Sequence, residues 1–245
     1  MVLTKKKYNN IINANVDIFV PYLNTHCERF IYINNFINKL YKKDRENIRI
    51  LDYGSHTGVL GILLKDMGFN VKCCDLQEVI EKYRNNYTFN DIEYKYLPES
   101  SKLPYGDNSF DLVIFTEILE HLYISPIDVL EDIKRIVKPG GYLLVTTPNV
   151  MNLENKVKFL FNINIYQDIY RYCYNPRYSL HYREYTKKDL FKLFNNYLKF
   201  KELKFHYFNY AGGRSKISYL IQKISFIISN FVPSLRYCIL VLARK

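Results

Sequence analysis

Two groups of side chains in this 245-residue sequence have the types and spacing for chemistry. The first is Asp52-Tyr53-Gly54-Ser55-His56-Thr57-Gly58, entered from the apolar run Ile48, Ile50 and Leu51 and followed by a short helical stretch ending at Gly68. A strand, a tight glycine turn and a helix start make a ligand cradle. Gly54 and Gly58 permit backbone angles and a close approach that a Cβ would obstruct, and the helix start offers unpaired N–H groups. Roughly twenty residues on, the run Val71 to Cys74 ends on Asp75, where a doubly wound sheet places a ribose-binding carboxylate. Glycine turns also close ordinary strand-to-helix junctions, and the dinucleotide fingerprint G-x-G-x-x-G is not matched. The second group is Glu117, Glu120 and His121, with His181-Tyr182-Arg183-Glu184 farther along. One-turn spacing predicts that Glu117, Glu120 and His121 share one helical face, and carboxylates and imidazoles are the groups that move protons.

The elements that must position these groups alternate. Thr25-His26-Cys27-Glu28 has capping-box spacing, and Phe30, Ile33, Ile37, Leu40 and Tyr41 follow with helical period, which predicts a helix from Thr25 to Lys42. Gln77 to Asn86 reads as a helix, Ile92 to Tyr96 as a third strand and Leu112 to Phe115 as a fourth. Ser125-Pro126 opens a helix with Val129, Leu130, Ile133, Ile136 and Val137 on its apolar face. Lys138-Pro139-Gly140-Gly141 turns into a strand from Tyr142 to Thr146, closed by Thr147-Pro148-Asn149. Thr186 caps a later helix through Thr186-Lys187-Lys188-Asp189. Leu203 to Tyr210 and Tyr237 to Ala243 read as final strands. Strand-helix alternation of this kind implies a parallel sheet.

The ordered set of the glycine turn, Leu103-Pro104 before Ser109-Phe110-Asp111, Glu117-Ile118-Leu119-Glu120-His121 and Lys138-Pro139-Gly140-Gly141 resembles the class I S-adenosylmethionine-dependent methyltransferases. The resemblance covers residues 48 to 195 and points to the small-molecule O-methyltransferase branch. It implies a Rossmann-like α/β fold, with a seven-stranded, mostly parallel sheet, an antiparallel edge strand and helices on both faces. Asp52, Gly54, Ser55 and Gly58 would surround the methionine part of S-adenosyl-L-methionine, and Asp75 would bind its ribose. Glu99 would accept from the adenine amino group with the Ser100 backbone beside it, where the family more often has Asp. Thr116, ending the fourth strand, would lie against the methionine end. His56 is the departure, standing where the family usually has its middle glycine.

On this reading one methyltransferase domain fills residues 1–245. It comprises an N-terminal helical lid over 1–47, a cofactor-binding core over 48–149 and an acceptor-side insertion over 150–185. The remainder, 186–245, holds a helix and the last two strands. His121 is the first candidate for the base that deprotonates a hydroxyl acceptor, with His181 and Glu117 beside it. Alternatively, Glu120 and His121 orient their helix and His181 fixes its loop. The same Glu117, Glu120, His121 and His181 are also similar to the set by which metal-dependent small-RNA 3′-end 2′-O-methyltransferases hold a divalent ion. The expected acceptor is a small or lipid-linked molecule such as a glycan or cell-envelope precursor. RNA ends are the second reading, and a non-catalytic cofactor-binding module is the third.

The net charge of +11, from 35 Lys and Arg against 24 Asp and Glu, fits an anionic partner such as nucleic acid, a phosphorylated carrier or a lipid surface. Abundant Lys, Asn, Ile and Tyr also read as a bias of the whole chain. The five cysteines lack C-x-x-C spacing, which argues against a zinc cluster or a disulfide framework. With no signal-peptide pattern and no apolar run long enough to span a bilayer, a cytoplasmic location is expected. Residues 217–232 place Ile217, Leu220, Ile221, Ile224, Ile227, Ile228 and Phe231 on one helical face, suited to packing on the core or to peripheral contact with an anionic membrane.

Overall fold

The computed structural model describes residues 2–16, 21–98, 102–166, 168–174, 180–210 and 226–245. Seven strands form one sheet: β1 (Arg49–Tyr53), β2 (Asn70–Asp75), β3 (Glu93–Tyr96), β4 (Phe110–Thr116), β5 (Val137–Pro148), β6 (Glu202–Phe208) and β7 (Cys238–Arg244). Their spatial order is β3-β2-β1-β4-β5-β7-β6. β1 pairs in parallel with β2 and β4, β2 pairs in parallel with β3, and β6 pairs antiparallel with β7. The expected mostly parallel sheet with its antiparallel edge strand is present.

By contacts the chain divides into two compact units. Unit 1 comprises residues 1–115, 131–143 and 245, and unit 2 comprises 116–130 and 144–244. In unit 1 the helices are α1 (Lys5–Asn15), α2 (Pro21–Leu40), α3 (Val59–Asp66), α4 (Gln77–Lys82) and α5 (Arg84–Phe89). Ile50, Leu51, Cys73, Cys74, Val113 and Ile114 are fully buried, the continuous apolar runs expected of strands covered on both faces. α3 lies close on β2, since a Cβ on Gly61 would come within 2.8 Å of Cys73 Sγ. α2 begins at Pro21 rather than at Thr25, so the spacing at Thr25 is not a cap. Thr25 lies inside the helix, its hydroxyl donating to the Tyr22 carbonyl. The expected helix from Gln77 to Asn86 is instead α4 and α5, broken at Tyr83.

α6 (Pro126–Ile136) starts in unit 2 and ends in unit 1. Lys138-Pro139-Gly140-Gly141 falls inside β5 rather than ahead of it. A Cβ on Gly141 would meet the Asp111 carbonyl at 2.9 Å, so a residue without a side chain lets the two backbones approach.

Unit 2 carries α7 (Leu153–Leu160), α8 (Ile169–Tyr174) and α9 (Lys187–Phe191). The Thr186 cap is a full capping box, with Thr186 Oγ1 accepting from the Asp189 N–H and the Asp189 carboxylate accepting from the Thr186 N–H. Asn149 ties β5 to the chain before β7: its N–H donates to the Tyr237 carbonyl and its side-chain amide to the Ser234 and Arg236 carbonyls. Of the expected amphipathic segment, 226–231 is helical, while 217–225 lies outside the described residues. No helix among the described residues is long and apolar enough to cross a membrane.

Candidate active site

The cradle in unit 1 is shaped by backbone bonds. Gly54 and Ser55 both donate N–H bonds to the Cys74 carbonyl, at 2.8 and 3.2 Å, which folds the turn back over the end of β2. Gly54, His56 and Gly58 take positive φ values of 70°, 49° and 75°. Glycine adopts these without strain, and a Cβ on Gly58 would meet the Tyr87 ring at 2.9 Å. Tyr87 donates to the His56 carbonyl at 2.7 Å, so its one proton is spent and the Ser55 hydroxyl, 2.9 Å away, donates to the phenol oxygen. Asn86 donates to the Thr57 carbonyl.

Two carboxylates stand at this turn. Asp75 Oδ2 accepts from the His56 N–H and Oδ1 from the Leu76 N–H, both at 2.7 Å. Burial still raises its pKa, against the pull of those two bonds. Asp52 is 2% exposed and its Oδ2 has no hydrogen-bond partner. Burial, with Asp75 as the second cause, pushes it up to about 8. A buried carboxylate with an open oxygen beside a glycine turn suits a ligand that brings its own positive charge, as the ammonium and sulfonium of S-adenosylmethionine do.

His56 is enclosed by aromatic rings, 5.2 Å from Tyr22 and 5.1 Å from Tyr83, both edge-on. Burial, reinforced by Lys82 and Arg29, lowers its pKa to about 4, and Nδ1 is buried without a partner. His26, whose ring lies 4.1 Å from Tyr22, is lowered to about 3 by burial and Arg29. Both imidazoles are therefore neutral near pH 7. Tyr22, Tyr83, Tyr87 and Asn86 escaped the sequence reading because nothing in the chain order links them to the turn. Glu99 and Ser100 lie outside the described residues.

In unit 2, Thr116 ends β4 and the chain then turns through Glu117 at φ 54° into a 3-10 turn, Leu119–His121. The expectation of one helical face across Glu117, Glu120 and His121 fails here, because the left-handed residue sends Glu117 elsewhere. Its carboxylate accepts from Thr146 Oγ1 at 2.8 Å and from the Tyr210 hydroxyl at 3.2 Å, with Cys238 Sγ at 3.7 Å. Glu120 is 1% exposed, and its Oε2 accepts from Thr147 Oγ1 at 3.0 Å. His121 Nδ1 lies 2.9 Å from the Leu180 carbonyl. A carbonyl only accepts, so this nitrogen carries a proton, which in the neutral imidazole makes Nε2 the acceptor. His181 sets its Nδ1 3.2 Å from Glu184 Oε1, and the two imidazole rings are 4.8 Å apart.

Glu120, His121 and His181 thus converge, offering three ligand atoms within 4.8 Å of one another. Two imidazoles oriented through Nδ1 and one buried carboxylate match in kind the donors of a catalytic divalent-metal site. Glu117 is not among them. The Tyr182 N–H donates to the Glu120 carbonyl at 2.8 Å, which holds the chain beside His181 against Glu120, some sixty positions away.

A family model described as a methyltransferase domain matches residues 26–197. The ubiquinone biosynthesis O-methyltransferase of Rickettsia typhi is 28% identical over 209 residues, covering 80% of this chain and 82% of that protein. A malonyl-[acyl-carrier protein] O-methyltransferase of a Marinomonas species is 28% identical over 129 residues, covering 50% and 46%. Among solved structures, a SAM-dependent methyltransferase from Archaeoglobus fulgidus superposes with a TM-score of 0.59 at 19% identity, over 91% of this chain and 99% of that one. The chain belongs to the class I S-adenosylmethionine-dependent methyltransferase family.

Proposed function

We propose that the protein transfers the methyl group to an oxygen of a small or lipid-linked acceptor, a glycan or cell-envelope precursor being one such class. The observation that carries this reading is His121, whose Nδ1 is fixed on the Leu180 carbonyl at 2.9 Å, so that in the neutral ring Nε2 would be the nitrogen to take a hydroxyl proton. The two relatives named above, both O-methyltransferases, point the same way. S-adenosylmethionine, when bound, supplies an electrophilic methyl whose bond to sulfur breaks as the bond to the acceptor oxygen forms. Asp52 would sit against its cationic end, Gly54, Ser55 and Gly58 would admit it, and Asp75 would accept from the ribose hydroxyls with the lone pairs its two backbone bonds leave. Thr116 would lie near the methionine end, and Glu99 and Ser100 would receive the adenine. A lipid-linked acceptor suits a protein that contacts the bilayer periphery, in part through 217–232.

The convergence of Glu120, His121 and His181 favours a second reading, in which they hold a divalent ion against the acceptor hydroxyl and lower its pKa. RNA 3′ ends are one acceptor of that kind. The test is transfer from methyl-labelled S-adenosylmethionine to phenolic, sugar and RNA acceptors, with and without chelator. Transfer that survives chelation and is lost in His121→Ala establishes the first reading. Transfer abolished by chelation and restored by Mg²⁺ or Zn²⁺ establishes the second. Labelling at nitrogen or carbon only would overturn both.

A further inference from the structure

The two units differ in what they leave facing solvent. Of the 22 large apolar side chains exposed among the described residues, 18 belong to unit 2, and ten of these fall between Met151 and Tyr174. The segments forming unit 2 also carry 16 Lys and Arg against 8 Asp and Glu.

α7 shows that this exposure is built. Its N-cap Asn152 accepts from the Asn155 N–H at 2.9 Å, and Asn152, Glu154 and Asn155 are all buried. The helix then ends in a well-formed reversal, with Asn162 at φ 54° and the Ile163 N–H donating to the Lys158 carbonyl at 2.8 Å. That reversal presents Phe159, Leu160 and Phe161 at 69, 83 and 72% exposure. A helix that buries its amides, pairs its buried Glu154 with Lys158 at 2.9 Å and leaves three consecutive apolar side chains exposed at its end departs from the pattern of a water-facing element. Farther on, the rings of Tyr170 and Tyr174 lie 4.6 Å apart, tilted by 38°, and both are exposed, and exposed Lys156 flanks the tip. Aromatic and aliphatic side chains beside an exposed lysine, on a unit with twice as many basic as acidic residues, fit the headgroup boundary of an anionic bilayer.

We infer that α7, the residues 161–166 after it and α8 dock unit 2 onto an anionic lipid surface, inserting Phe159, Leu160 and Phe161. This holds whichever atom is methylated. The experiment is flotation of the full-length protein with phosphatidylglycerol-containing vesicles and with pure phosphatidylcholine vesicles, beside light scattering of the protein alone. The wild type is expected to float with the anionic vesicles, several-fold less with the zwitterionic ones, and the triple variant Phe159→Ser, Leu160→Ser, Phe161→Ser to lose at least about tenfold of that partitioning. Its S-adenosylmethionine affinity and melting temperature should match the wild type, which separates loss of docking from loss of fold. Lys156→Glu should weaken anionic binding while leaving the zwitterionic residue unchanged. Two results overturn the inference: equal flotation of wild type and triple variant, or a wild-type dimer that the triple substitution converts to monomer.

Discussion

Unit 1 and unit 2 solve opposite problems. The cradle is held almost wholly by bonds to or from main-chain atoms, so its shape depends on a few glycines and one strand-end carboxylate. The Glu120, His121 and His181 cluster is gathered from residues 120–121, 147 and 180–184, by the side chains of Thr147 and Glu184 and by main-chain partners at Leu180 and Tyr182. A backbone-built site accepts a ligand whose chemistry does not change between proteins. A site that depends on side chains can be altered one residue at a time, which suits the acceptor role proposed for it.

The sharpest way to break this division is His121→Ala. Removing the proposed base should lower turnover by about a hundredfold or more while leaving cofactor affinity within about twofold. Steady-state transfer and calorimetric titration with S-adenosylmethionine measure the two sides separately. Parallel loss of both would show that the units do not act independently.

Next comes Asp52. With its pKa near 8, the ligand-free carboxyl is protonated at neutral pH and must release its proton to meet a cation. S-adenosylmethionine affinity should therefore rise by up to about tenfold per pH unit below pH 8 and level off above it. Stability of the free protein runs the other way: a carboxyl raised above its unfolded value of 3.8 stabilises the fold at low pH, and that contribution is lost as pH climbs to about 8. Asp52→Asn should flatten both trends, as read by titrations and melting curves from pH 5 to 9. Affinity independent of pH in the wild type would remove Asp52 from the cation's vicinity.

Asp75→Ala should weaken cofactor binding by about 1 to 3 kcal/mol, and part of that loss is conformational because the His56 and Leu76 N–H groups lose their acceptor. Asp75→Asn, which keeps one acceptor oxygen, should cost less. Equal affinity across all three proteins would leave Asp75 as a turn residue alone.

The same division explains what could be read in the chain. Strand runs, the glycine turn, Asp75 and the Thr186 capping box are local patterns, and local patterns are what periodicity and cap chemistry report. Thr25 misled because capping-box spacing also occurs inside helices, and Pro21 began the helix a turn earlier. Glu117 misled because one positive φ reverses where a side chain goes, and no spacing rule carries that information. His181 was named, but its Glu184 partner and the Thr147 contact to Glu120 depend on tertiary register. The exposed apolar end of α7 is visible only once burial is known.

His56→Gly carries the smallest expected effect and tests the cradle most finely. Restoring glycine relieves a left-handed conformation that costs a non-glycine residue about 1 kcal/mol. It also deletes a ring packed between Tyr22 and Tyr83, and aromatic contacts of this kind contribute about 0.5 to 1.5 kcal/mol each. Two such contacts outweigh the relieved strain, even with the unpartnered Nδ1 counted against the histidine. The bond from the residue 56 N–H to Asp75 is main-chain and survives. His56→Gly should thus lower stability by roughly 1 kcal/mol, by denaturant titration, with cofactor affinity within a few-fold of wild type. A clear gain in stability would mean the strain dominates and the ring is tolerated rather than used. A large loss of affinity would mean that the imidazole itself meets the ligand, and the cradle would then not be a backbone device alone.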